Sequence, residues 1–194
     1  MIGPLLLGGV IVILTWLEYA FLLSLRWHPL YATTIDWPSG LSLGPYGGVM
    51  ISAFILSGLL LTGFALGLYK ALAADPGAKR ATVLLFIAAL AMLFLGFKTD
   101  PTYRTTPHTV HGLIHDGAFV LLGLTLLPTM FLLAHIFQRN PRWHGHARYT
   151  LITVLVIAPA FALKGIAFYI FLAGVLAWFE VIAIRLWQTT QQAP

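Results

Sequence analysis

The chain contains no cysteine and little charge. Asp, Glu, Lys and Arg make up 9% of its 194 residues, whereas soluble domains average roughly 25%. Without cysteine, the chain can form no disulfide, no thiolate nucleophile and no Cys-ligated metal site. Too few polar side chains are available to cover a water-facing globule, which excludes a cytoplasmic enzyme, a secreted disulfide scaffold and a disordered tail.

Apolar residues are abundant instead, at 59% of the chain, and they form six long runs. The hydrocarbon core of a bilayer requires about 20 apolar residues per helix. We therefore predict an all-α polytopic membrane protein, a single six-transmembrane-helix bundle over residues 1–194 with consecutive helices antiparallel. The predicted spans are residues 4–25, 49–69, 76–97 (starting at Pro76), 117–137, 149–163 and 166–187.

Basic residues are unevenly divided between the two sets of connections. Seven lie on the side of the termini and four on the opposite side. Because Lys and Arg accumulate in cytoplasmic loops, this asymmetry predicts a prokaryotic inner-membrane protein with both termini cytoplasmic. The net charge of +5 thus indicates topology rather than nucleic-acid binding, and membrane lipids are the expected partners. The GxxxG pattern of Gly63 and Gly67 is compatible with packing inside one chain or in a homo-oligomer, and a partner in a membrane complex is left open.

The first outer loop, residues 26–48, is the longest connection and contains Trp27, Tyr31, Trp37 and Tyr46. Trp and Tyr prefer the head-group layer, where the ring is apolar and its N–H or O–H finds a polar partner. We expect this loop to lie over the outer mouth of the bundle, as an interfacial anchor or as a lid over a ligand.

A polar segment stands between the third and fourth spans. Asp100 ends the third span, and Thr106 followed by Pro107 predicts that the next helix begins at Pro107. On that helix His108, His111 and His115 would share one face, within roughly 60° of each other. Ionisable side chains at membrane spans often have a function, so this cluster is the candidate functional site.

Several kinds of chemistry are compatible with this cluster. Imidazoles and a carboxylate can bind a divalent metal such as zinc, and three such ligands with a water would make a hydrolytic centre. The candidate metal ligands are Asp100, His108, His111 and His115. The candidate ligand-binding residues, for a small polar molecule or a lipid head group, are Asp100, Arg104, His108, His111 and His115. The candidate catalytic residues are Glu18, Asp100 and Asp116. Whether the protein is an enzyme stays open, because the cluster can equally be a hydrogen-bond network in a non-catalytic accessory or structural subunit.

The motif Phe97-x-Thr99-Asp100-Pro101 followed by His111-Gly112-Leu113-Ile114-His115-Asp116 resembles the signature of the membrane family catalogued as domain of unknown function 998. The resemblance extends from about Leu43 to Trp187. It implies a six-helix integral membrane protein and supplies no reaction. The chain departs from the family after Gly165, where an acidic–Arg pair is common and this sequence has no Arg.

Overall fold

The computed structural model describes residues 37–44, 47–101, 107–163 and 165–191, and every regular element in these ranges is helical. The first predicted span, residues 4–25, lies outside the described residues. A short 3-10 helix, η1, comes before five α-helices. Their bounds are Pro38–Leu43 for η1, Gly47–Leu72 for α1, Ala78–Phe94 for α2, Val110–Arg139 for α3, His144–Phe161 for α4 and Ile166–Gln191 for α5.

Two of the predicted helix starts are wrong. α2 begins at Ala78 rather than at Pro76, because Gly77 adopts a left-handed backbone conformation with φ 90° that ends the preceding turn. α3 begins at Val110 rather than at Pro107, because Thr109 is the residue that caps it. The Thr109 side chain accepts a hydrogen bond from the Gly112 amide at 3.0 Å, as N-cap residues do.

Within the described ranges, three helices are long and apolar enough to cross a membrane: Gly47–Leu72, Val110–Arg139 and Ile166–Thr189. α2 has 17 residues and α4 has 18, so each is about 26 Å long, short of the roughly 30 Å hydrocarbon core. The outward surfaces are apolar, since Leu59, Leu124 and Leu155 are more than half exposed. Apolar side chains exposed on this scale are typical of helices that face lipid. The chain is therefore a helical membrane protein.

The five α-helices pack in chain order, and α1 also contacts α5, so the row closes around a centre. At Gly58, α1 packs tightly against α2, because an added Cβ would lie 2.9 Å from the Ala89 carbonyl oxygen. Gly63, in the GxxxG pattern, instead faces open space. Pro128 and Pro159 lie inside α3 and α4, as the predicted spans require.

Polar contacts join the loops at the end of the bundle where α3 ends and α4 begins. Asn140 Nδ2 donates to Asp75 Oδ2 at 2.8 Å and thereby connects the α3–α4 loop to the α1–α2 loop. Nearby, in the first turn of α4, burial lowers the pKa of His146. The positive charge of Arg185 lowers this pKa further, and a hydrogen bond with the Trp143 backbone opposes both effects.

Candidate functional site

Asp100 caps the start of α3. Its Oδ1 accepts a hydrogen bond from Thr109 Oγ1 at 2.6 Å, and its Oδ2 accepts one from the Thr109 amide at 3.0 Å. The Asp100 side chain is 6% exposed. A carboxylate in this position satisfies an amide at the helix start and interacts favourably with the positive end of the helix dipole. We call Asp100, Thr109 and Gly112 the cap cluster.

Gly112 makes room for the Asp100 carboxylate. A Cβ built on Gly112 would lie 2.1 Å from Asp100 Oδ2 and 2.3 Å from its Cγ. No atom can approach so closely, so any larger residue at position 112 would displace the carboxylate. Packing therefore explains the glycine of the His111-Gly112 motif, because a side chain at position 112 would collide with Asp100.

His108 lies between two carboxylates. Its Nδ1 is 3.6 Å from Asp100 Oδ2 and 3.9 Å from Asp116 Oδ2. The side chains of His108 and Asp116 are about half exposed, at 47% and 56%. A protonated imidazole would make ion pairs with both carboxylates, and the water around them would keep those pairs weak.

His115, by contrast, is buried, with 3% of its surface exposed. Its Nδ1 lies 2.8 Å from the carbonyl oxygen of Phe97, and Phe54 packs edge-on against its ring with centroids 5.9 Å apart. The Phe97 carbonyl is available because Phe97 follows the end of α2, where carbonyl groups lack a partner within the helix. His115 is thus fixed to the segment that also carries Asp100.

Contrary to the sequence prediction, the three imidazoles do not all lie on one helix, although His111 and His115 both lie on α3 and both contact Phe97. His108 precedes the first residue of α3, and His111 is exposed, with its ring 5.6 Å from that of Phe97. Within the described part of the chain, no three His, Asp or Glu side chains are grouped so that they could hold a metal ion. The zinc site stays a prediction from the sequence. Glu18 and Arg104 lie outside the described residues.

A cavity of about 260 Å³ lies in the centre of the bundle. Of the predicted site residues that the structure describes, His115 and Asp116 line it, whereas Asp100, His108 and His111 do not. Three further polar residues, Ser39, Ser57 and Thr99, contribute to the wall. The rest of the described lining is apolar and rich in aromatic rings: Trp37, Pro38, Met50, Ala53, Phe54, Leu61, Met92, Leu95, Phe119, Val120, Leu122, Leu126, Phe168, Phe171, Leu172, Val175, Leu176 and Phe179.

The cavity is elongated along the helices. On each of three helices the first and last lining residues are eleven steps apart, which corresponds to about 16 Å at 1.5 Å per residue. These stretches run from Met50 to Leu61, from His115 to Leu126 and from Phe168 to Phe179. Thr99, His115 and Asp116 lie at the end of the cavity where α2 ends and α3 begins, and we call this the polar end.

Aromatic rings from separate elements meet near the polar end. Trp37 packs edge-on against Phe119 and Phe168, with ring centroids 5.1 and 4.9 Å away. Phe119 in turn stacks on Phe161 at 4.5 Å. Sequence reasoning identified Trp37 as part of a loop over the mouth but missed the phenylalanines. Phe119 and Phe168 each lie near the start of a long apolar helix, and nothing in such a run distinguishes a ring that faces a cavity from one that faces lipid.

Comparison with protein families yields a match over nearly the whole chain. The family model described as "Protein of unknown function (DUF998)" matches residues 5–187. Neither the curated proteins nor the solved structures contain a match to the chain. The matched region covers nearly the whole sequence and includes both the cap cluster and the walls of the cavity. The resemblance expected from the Asp100 and His115 motif is thereby confirmed, and the chain belongs to the family of domain of unknown function 998.

Proposed function

We propose that this protein binds an amphipathic, lipid-like molecule in the central cavity, with the polar group of that molecule at His115 and Asp116. The observation that carries the proposal is the cavity itself, which has apolar walls along most of its length and its described ionisable residues, His115 and Asp116, at one end. Small-molecule sites are typically apolar clefts with a few well-placed polar groups. This distribution matches a ligand with an apolar chain and a compact head better than it matches a small polar molecule.

The length of the cavity supports a chain-like ligand. Its walls extend for about 16 Å along the helices at 1.5 Å per residue, and the side chains from Leu122 to Leu126 and from Leu172 to Phe179 are apolar where they line it. Apolar walls of this length are complementary to an alkyl chain and offer a polar molecule no hydrogen-bond partners. The lipids of the surrounding bilayer carry alkyl chains of this kind.

We place the protein in a prokaryotic inner membrane as a six-span bundle with both termini cytoplasmic. The excess of basic residues on the side of the termini supports this orientation. The apolar surfaces of α1, α3 and α5 support a membrane location. In this arrangement the polar end of the cavity faces outward, near the head-group layer where a lipid head would enter.

The experiment fills the cavity and measures the lipid that remains bound. Ala53 lines the cavity on α1, so Ala53→Phe is expected to reduce the amount of lipid that co-purifies with the protein. Ala71 is exposed on the same helix and outside the cavity, so Ala71→Phe is the matched control. The readout is the molar ratio of extracted lipid to protein by mass spectrometry, after exhaustive washing in detergent. Equal lipid ratios in the two variants and the wild type would refute the proposal.

A second function is favoured by a separate observation. Asp100, Thr109 and Gly112 form a complete helix cap, so much of the predicted polar cluster has a structural explanation. This supports a non-catalytic accessory or structural subunit, in which the cavity would hold no specific ligand. In that case filling the cavity with Ala53→Phe would leave lipid content unchanged.

A further inference from the structure

His115 uses one ring nitrogen for a contact within the protein, and the residue lines the cavity. Its Nδ1 lies 2.8 Å from the Phe97 carbonyl oxygen. A carbonyl oxygen can only accept a hydrogen bond, so Nδ1 is the nitrogen that carries the proton. In the neutral ring, Nε2 then has a lone pair and can only accept. Among the described residues His115 makes no second hydrogen bond, although the residue is 3% exposed and lines the cavity.

The carboxylate at this end is also an acceptor. Asp116 follows His115 on α3 and lines the same end of the cavity, and an ionised carboxylate accepts hydrogen bonds without donating any. Thr99 contributes a hydroxyl, which can donate or accept. No Lys or Arg is among the described residues that line the cavity. At the described residues of this end, a phosphate or carboxylate head group would meet acceptors and a carboxylate but no cation, and placing an anion there without a cationic partner is costly.

We propose that the cavity selects lipids whose polar group is an uncharged hydroxyl, which donates a hydrogen bond to Nε2 of His115. The inference rests on the lipid binding proposed above and adds the chemical class of the head group. The ligand class is a long-chain alcohol or a glyceride with a free hydroxyl. An ether of the same length lacks the donor, and an alkyl phosphate brings a negative charge towards Asp116.

The test uses three probes with the same apolar chain: dodecanol, dodecyl methyl ether and dodecyl phosphate. Each competes with a fluorescent long-chain alcohol for the full-length protein in a neutral detergent, and displacement is followed at pH 7.5. A neutral hydrogen bond contributes about 1 kcal/mol, so dodecanol is expected to bind roughly fivefold more tightly than the ether. Dodecyl phosphate is expected to bind more weakly than either.

The outcomes separate this inference from the proposed function. If the ether or the phosphate displaces the fluorescent alcohol as well as dodecanol does, the cavity binds lipid and the hydroxyl preference is refuted. If the fluorescent alcohol does not bind at all and no probe is retained, lipid binding itself is refuted, and the head-group inference with it.

Two variants assign the preference to the His115 ring. His115→Phe keeps an aromatic ring at the polar end but removes Nε2, so the ratio of alcohol to ether affinity is expected to fall to about one. His111→Phe is the matched control, because His111 is exposed on the same helix and does not line the cavity. A preference that survives in His115→Phe would overturn the assignment. If His115→Phe does not fold, the wild-type series still decides between the three head groups.

Discussion

Replacing Gly112 with alanine tests the geometry of the cap cluster. The new Cβ would lie 2.1 Å from Asp100 Oδ2, so the carboxylate must leave its place. It would then lose its hydrogen bonds to the Thr109 hydroxyl and amide, at 2.6 and 3.0 Å. Hydrogen bonds to a charged group contribute about 1.5–3 kcal/mol each. Water near the exposed Thr109 replaces part of that loss.

The substitution also has a favourable component. Alanine is better than glycine in a helix by about 0.5–1 kcal/mol. We therefore expect Gly112→Ala to lower the free energy of unfolding by about 1–3 kcal/mol in total. Gly117 is the matched control, because it lies on the same helix with nothing within 4 Å of an added Cβ. Gly117→Ala is expected to raise stability by about 0.5–1 kcal/mol.

A double-mutant cycle shows whether the Asp100 carboxylate is the cause. Without that carboxylate, in an Asp100→Ala background, the added methyl group has room. Gly112→Ala is then expected to change sign and stabilise the protein by up to about 1 kcal/mol. The assay is reversible unfolding in mixed detergent micelles, followed by circular dichroism. If Gly112→Ala is equally destabilising in both backgrounds, the contact between Gly112 and Asp100 does not explain the effect.

Three other expectations are independent of the cap cluster. Gly58→Ala is expected to destabilise the protein by about 1–3 kcal/mol through overpacking, whereas Gly63→Ala is expected to be neutral or stabilising; equal effects would contradict the α1–α2 contact. Because the pKa of His146 is lowered in the folded state, the unfolded chain binds more protons as the pH falls below its ordinary value of 6.5. The free energy of unfolding is therefore expected to fall as the pH is lowered below 6.5. His146→Gln removes this ionisable group and is expected to flatten the profile of unfolding midpoint against pH. In this cysteine-free chain, an impermeant thiol reagent applied to intact cells is expected to label Lys98→Cys and not Gly145→Cys; the reverse pattern would invert the proposed topology.

The helical architecture could be predicted because long apolar runs have few alternatives. In a bilayer each span must satisfy its own backbone hydrogen bonds, so a run such as Val49–Tyr69 can only be a helix. The ends of helices were predicted less well. Thr106-Pro107 and Thr109 are both reasonable starting signals, and the choice of Thr109 depends on its contact with Asp100, a residue outside the helix.

The role of the candidate site stays a prediction. The sequence singled out Asp100 and His115 because polar groups next to apolar spans require a reason, and in the structure each has defined hydrogen-bond partners. It could not show that the two residues have different surroundings. Spacing along α3 relates His115 to His111 and Asp116, but the direction of each side chain depends on where α2 ends and on which helices lie opposite. The Phe54 ring and the Phe97 carbonyl, which fix His115, come from two other parts of the chain.

The segment from Phe97 to Asp100 connects the cap cluster to the cavity. Asp100 holds this segment against the start of α3, and the Phe97 carbonyl, three residues earlier, sets the orientation of His115. Thr99, between them, lines the cavity. A cap that is purely structural in its own contacts therefore holds the carbonyl that fixes the proton on Nδ1, and Nε2 is the atom to which we propose that the ligand donates. The structural and ligand-binding interpretations of the polar residues are thus compatible. The helix cap holds the Phe97 carbonyl in place, and this carbonyl fixes which ring nitrogen of His115 carries the proton.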